Sequence, residues 1–135
     1  MNRSKNLFIR IFSLLILIFI ISGCQLFTAG QKKLKLYCPG LKIGISGVNW
    51  SVNGGRSVLV LSYDTDAQKK VQAYFEDRAN GFAEVKNGDF YDIKINDDEV
   101  IDRNDHVLLK TIEKKKGTAE VIFNETTRRI VIVEE

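Results

Sequence analysis

Residues 11–21 (IFSLLILIFII) hold one polar side chain, Ser13, and the stretch before them carries Arg3, Lys5 and Arg10 without an acid. A bilayer span needs about 20 apolar residues, so this run is too short to make a comfortable one. A basic segment followed by a short apolar one is the layout of a secretory signal. Residues 1–23 are therefore expected to stand apart, leaving the chain beyond them to build the domain.

Two small residues, Ser22 and Gly23, follow the apolar run and let an extended backbone enter a peptidase groove. A plain signal has no use for the next residue, Cys24. Ile21, Ser22, Gly23 and Cys24 together resemble the lipobox of bacterial prolipoproteins, an aliphatic residue and two small ones before a cysteine, with Ile21 where Leu is commoner. The resemblance covers the first 24 residues and nothing beyond. It implies that the Cys24 thiol receives a diacylglyceryl group and that cleavage between Gly23 and Cys24 frees a new N-terminus. The new amine is often acylated as well, with palmitate as the typical fatty acid. One acyl chain binds a membrane marginally, whereas two or more hold a protein there essentially permanently. The competing reading is an uncleaved signal-anchor helix with an incidental cysteine. In the family, an Asp directly after the cysteine retains the protein at the inner membrane. Gln25 stands in that place, which implies the outer membrane if the host has one and the cell membrane otherwise.

Removing residues 1–23 takes away three of the 20 basic residues and none of the 17 acidic ones, leaving 17 of each. A mature domain balanced in this way has no electrostatic footprint for nucleic acid. Lys114, Lys115 and Lys116 read as a solvated turn or helix end. Residues 24–33 read as a lipidated tether and residues 34–135 as a single domain with one core. With Cys24 assigned to lipid, Cys38 is left alone. It reads as a small buried hydrophobe, with a free thiol or an intermolecular disulfide as the alternatives.

Alternation in residues 34–38 and 41–45, on either side of the turn pair Pro39 and Gly40, predicts two strands. Val48, Trp50 and Val52 share a face of the next segment. Asn53, Gly54 and Gly55 then supply the turn before residues 57–63 (SVLVLSY), which predicts a hairpin with Trp50 in its core. Over about 66–79 the spacing of Ala67, Val71, Tyr74, Phe75 and Arg78 predicts a helix, capped by Asp66 at its start and by Asn80 and Gly81 at its end. Residues 82–86 and 90–95, around Asn87, Gly88 and Asp89, predict a second hairpin, and residues 96–105 a polar loop. Residues 106–113 (HVLLKTIE) satisfy neither period, while 119–123 and 129–133 read as strands around a turn at 124–127. The sum is an α+β fold, a strand-dominated antiparallel sheet with one helix over one face. An all-β sandwich or barrel is the alternative, should residues 66–79 pair as a strand.

Asp97, Asp98, Asp102 and Asp105 offer oxygen ligands of the kind that suit Ca²⁺ when a loop converges them. The spacing lacks the glycine and terminal Glu of an EF-hand, so a solvated loop is expected, with no metal or other cofactor. Asp64 and Asp66 are explained by turn and cap duty. His106 is the only histidine, which excludes multi-histidine zinc sites and leaves one candidate base for an acid-base triad. No sequence motif marks a nucleophile beside it. The expected function is a non-enzymatic binding or structural module held at the membrane surface, meeting an envelope protein or cell-wall partner. An inhibitor or protective, immunity-type lipoprotein is one version of it. The alternative class is a small envelope hydrolase or metal-assisted enzyme using His106 and nearby carboxylates.

Overall fold

The computed structural model describes residues 2–85 and 93–135. Among these, a long helix α1 (Asn2–Tyr37) precedes a hairpin of β1 (Gly47–Asn53) and β2 (Arg56–Ser62), then helix α2 (Gln68–Glu76). Short strands β3 (Ala83–Glu84), β4 (Ile93–Lys94) and β5 (Val100–Ile101) follow, and β6 (Val107–Glu113), β7 (Thr118–Asn124) and β8 (Arg129–Glu134) close the chain as a meander. One antiparallel sheet runs in the order β1-β2-β8-β7-β6-β3, and β4 pairs separately with β5. The fold is α+β with an open antiparallel sheet, as the patterning predicts.

The central strands are apolar on both faces, so the sheet must be covered twice. Successive side chains of a strand point to opposite faces. Leu59 and Leu61 of β2, Ile130 and Ile132 of β8, and Val121 and Phe123 of β7 meet across the register on one face. Val58 and Val60, Val131 and Val133, and Ile122 occupy the other. The first face is covered by the C-terminal part of α1 and by α2, which buries Val71 and Phe75 completely. The second is covered by the hairpin of β4 and β5, through Ile95 and Ile101. The β1–β2 turn takes two glycines because Gly54 and Gly55 both have positive φ, 58° and 82°.

Residues 34–38 and 41–45, expected as strands, are not strands. The first are the end of α1, and the second run without a paired neighbour. Leu34, Tyr37, Cys38 and Leu41 lie at i, i+3, i+4 and i+7 and are all buried against the sheet, so the helical period wins over a two-residue alternation too short to exclude it. Pro39 and Gly40 then end the helix rather than turn a hairpin, with Gly40 at φ 89°. Residues 24–33, read as a tether, are also helical and part of α1. Gly30 lets the helix approach the sheet closely: a Cβ there would lie 3.1 Å from Leu61 Cδ2 and 3.3 Å from Val48 Cγ2.

A charged clamp holds the same end of α1. Tyr37 Oη donates to Glu134 Oε2 at 2.6 Å, and the Lys33 and Lys114 ammonium groups lie 2.7 Å and 3.2 Å from the same carboxylate. Burial alone would raise the Glu134 pKa, but hydrogen bonds from Lys33, Tyr37 and Lys114 outweigh it and pull the carboxyl down to about 2. Burial, followed by the hydrogen bond to Glu134, pushes the Tyr37 phenol up to about 12.

The helix expected at 66–79 is present as Gln68–Glu76, flanked by single 3-10 turns at Thr65–Ala67 and Arg78–Asn80. Asp66 makes no capping bond. Asp77 instead accepts from Ala79 N to cap the second turn, Asn80 Nδ2 donates to the Tyr74 carbonyl, and Gly81 ends the turn in the left-handed region. Residues 106–113 hold strand β6 because its apolar residues are split between faces, Leu108 on the helical side and Val107 on the other, which hides a one-face period. The expected Asn87, Gly88 and Asp89 turn lies outside the described residues. Of its flanks, residues 83–84 pair with β6, residues 93–94 pair with β5, and β5 itself interrupts the polar loop. Trp50, expected in the core, is 40 % exposed on edge strand β1 and donates Nε1–H to Ser57 Oγ at 2.7 Å, because α1 reaches only as far along the edge as Val48.

Phe75 stacks on Phe123 with ring centroids 4.4 Å apart and meets Phe82 edge-on. Phe75→Ala is expected to cost about 3–5 kcal/mol, read as a lower denaturant midpoint at unchanged slope. The clamp predicts a second effect. The folded Glu134 pKa is depressed, so its contribution is complete above about pH 4.5, the ordinary value, and is lost as pH falls through about 2. Glu134→Gln should remove roughly 1–2 kcal/mol at neutral pH and flatten the acid limb of melting temperature between those values.

Candidate functional site

Cys24 stands exposed on α1, and Thr28 Oγ1 donates to its backbone carbonyl at 2.8 Å, one turn further on. Towards the N-terminus the large apolar side chains from Leu7 to Ile18 are 45–71 % exposed. They occupy consecutive positions, so they cover the helix all round rather than forming a stripe. Among the described residues no helix is long and apolar enough to cross a membrane. The second cysteine is chemically the opposite of the first. Cys38, directly after α1, is fully buried in the core, and burial pushes its thiol up to about 12 despite the lowering influence of Lys110, which leaves it a packed hydrophobe with little thiolate.

His106 sits just before β6, where its backbone N–H donates to Thr126 Oγ1 and its carbonyl accepts from Glu125 N across the β7–β8 turn. This pins the ring between two carboxylates. Nδ1 lies 2.5 Å from Glu125 Oε2 and Nε2 lies 3.1 Å from Glu84 Oε1. Burial works against the charged ring, but the hydrogen bond and charge of Glu125, followed by those of Glu84, outweigh it and raise the pKa above 6.5. When protonated, the ring donates from both nitrogens and then has no lone pair with which to take a proton. The hydroxyl beside it, Thr126 Oγ1, is held by the His106 backbone rather than by the ring. The arrangement ties strand ends together, and among the described residues no nucleophile is hydrogen-bonded to the ring.

Among the described residues, the carboxylates of the acidic hairpin do not converge. Asp97 pairs with Lys94 at 3.0 Å, Asp102 Oδ1 accepts from Asn104 N, and Asp105 Oδ2 accepts from Asp102 N and Asn124 Nδ2. Asp98 has its own backbone N–H bound by Asn96 Oδ1. These are turn and cap contacts, and among the described residues no three His, Cys, Asp or Glu side chains group as a metal site would. Asp64 and Asp66 are exposed at the turn into α2.

Beneath this hairpin lies a pair that the linear order conceals. Glu99 is 2 % exposed and its carboxylate is hydrogen-bonded to the Arg129 guanidinium, 30 residues away. The pair floors a cleft of about 280 Å³ between β1 and the hairpin, and a second cleft of about 370 Å³ opens on the hairpin's other side beside Arg56 and Ser51. Asp98 lines both. Glu84, Glu125, Glu99 and Arg129 carry no local signature, since each gains its partner only through strand pairing.

Because His106 is the sole histidine, its titration is read directly by NMR. Its folded pKa is raised, so its contribution to stability is complete below about pH 6.5 and fades as pH rises through the folded value. Glu125→Gln should bring the midpoint back towards 6.5 and lower stability by roughly 0.5–1 kcal/mol near pH 6, with the difference closing at higher pH. A wild-type midpoint at or below 6.5 contradicts the double clamp. No family model, curated protein or solved structure matches the chain, so the functional reading rests on its own residues.

Proposed function

We propose that the chain is a bacterial envelope lipoprotein, anchored through acyl chains on Cys24, whose globular part is a non-enzymatic binding or structural module at the membrane surface. The observation that supports the reading is the first half of α1, where the large apolar side chains from Leu7 to Leu17 cover the helix all round and are 45–71 % exposed. A helix apolar on every side is at home in lipid or in an export channel rather than in water. The apolar run of residues 11–21 spans about 16 Å as a helix, about half of a bilayer's hydrocarbon core, which favours a cleaved signal over a permanent span. The lipobox residues lie directly after it, and an exposed Cys24 leaves its sulfur accessible to modification.

The rest of the chain supports binding over catalysis. Both nitrogens of its one imidazole are engaged by carboxylates, while edge strand β1 presents Trp50 and Val52, 40 % and 71 % exposed, beside a backbone edge that no described strand pairs with. Strand addition to such an edge is an established mode of recognition, and a membrane tether raises the local concentration of even a modest-affinity partner. The partner is expected to be an envelope protein or cell-wall material, at the outer membrane if the host has one and otherwise at the cell membrane. A protective or inhibitory role is one form of the same activity.

Intact-mass measurement of protein made in its native host tests the reading. Wild type should have lost residues 1–23 and gained the mass of a diacylglyceryl group, with or without an amide-linked acyl chain. Cys24→Ser should retain the full precursor mass and no lipid. An unmodified Cys24 still joined to the leader, or wild type released into the medium, would falsify the proposal.

A further inference from the structure

The C-terminal part of α1 and the extended segment after it enclose an open trough of about 580 Å³. Leu41 and Ile43 give it an apolar floor, and Gln31 Nε2 closes one side by donating to the Ile43 carbonyl at 3.3 Å. Its rim carries Lys32, Lys35 and Lys42 and no carboxylate. Among the described residues none of these lysines has an acidic partner, whereas Lys33 and Lys114, on the clamped side, share Glu134. Lys32 and Lys35 are also like-charged neighbours at i, i+3, an arrangement that costs stability until an anion relieves it.

An apolar trough with a cationic rim suits an acyl chain carrying an anionic headgroup. The position is right as well. Cys24, Thr28, Lys32 and Lys35 follow one another at i, i+4, i+8 and i+11, so they share a stripe of α1, and Cys24 lies about 16 Å along the axis from Lys35. Acyl chains on Cys24 would set the mouth of the trough at the headgroup layer. We infer that the trough between α1 and residues 40–44 is a binding site for one anionic phospholipid, with the chain lying on Leu41 and Ile43 and the headgroup held by Lys32, Lys35 and Lys42. The inference rests on the Cys24 anchor for bringing lipid within reach, while the site itself is non-covalent. Occupying it would seat the domain against the leaflet instead of leaving it to swing on its acyl chains.

Native mass spectrometry of the full chain in neutral detergent tests this with phosphatidylglycerol and phosphatidylcholine of identical acyl chains. Wild type should retain one phosphatidylglycerol with a preference of roughly tenfold or more over phosphatidylcholine, since each lysine adds to attraction for an anionic headgroup. The triple variant Lys32→Gln, Lys35→Gln, Lys42→Gln changes only exposed side chains. It should keep the wild-type melting temperature and lose the preference. Cys24→Ser in the same detergent should keep it, because no covalent lipid is needed. The mass of the unliganded protein reports acylation separately, so loss of the anchor and loss of the site are distinguishable. Equal retention of both lipids by wild type, or an unchanged preference in the triple variant, would overturn the site. Binding by Cys24→Ser alone would also overturn it, by placing the chain's own acyl group in the trough.

Discussion

Three adjacent strands with apolar side chains on both faces are the constraint on which the rest of this molecule depends. Antiparallel sheets usually leave one face to water, but β2, β8 and β7 do not have a face to spare. A long helix and a short one close one side, and a hairpin of four paired residues closes the other with Ile95 and Ile101. On the hairpin side lie the two clefts that Asp98 lines, and there Glu99 is drawn beneath the surface. A carboxylate so placed is tolerable because the Arg129 guanidinium reaches it from β8.

The polar contacts share a pattern. Glu134 and Glu99 sit where a covering element meets a strand, His106 ties strand ends of the sheet together, and each joins segments far apart in the chain: 134 to 33 and 37, 99 to 129, 106 to 84 and 125. Apolar contacts hold the layers together without fixing their register, whereas charge-assisted hydrogen bonds are directional. The Glu134 clamp thus fixes the angle at which α1 leaves the domain. On the proposed reading, that helix carries the anchor, so the clamp also sets how the trough and β1 face the membrane.

Much of the sheet was legible in the sequence. The alternation of residues 57–63 and the Asn53, Gly54, Gly55 turn specified the first hairpin, and residues 119–123 and 129–133 specified the last, because register and turn chemistry are local. Residues 34–38 were misread because five residues of Leu, Lys, Leu, Tyr and Cys satisfy a strand period and a helix period alike. Only docking against Leu61 and Phe123 in the same core resolves that ambiguity. Strand β6 is obscured for a related reason: its apolar residues serve two faces, so no single face shows a period. Of the site residues, Cys24 carries a local motif, while Glu84, Glu125, Glu99 and the lysine rim of the trough are brought together by folding.

Local sequence specifies the strands of the first and last hairpins, the glycine turn between β1 and β2, the amphipathic stretch of α2 and the short apolar run before Cys24, because each depends on residues within one or two turns of chain. Tertiary structure alone decided that α1 continues to Tyr37, that Trp50 stays at an exposed edge, that His106 is clamped by two carboxylates and that Glu99 is buried against Arg129. The reason is physical: these depend on which faces find cover and which charges find partners, and both are settled by contacts between residues that the linear order keeps apart.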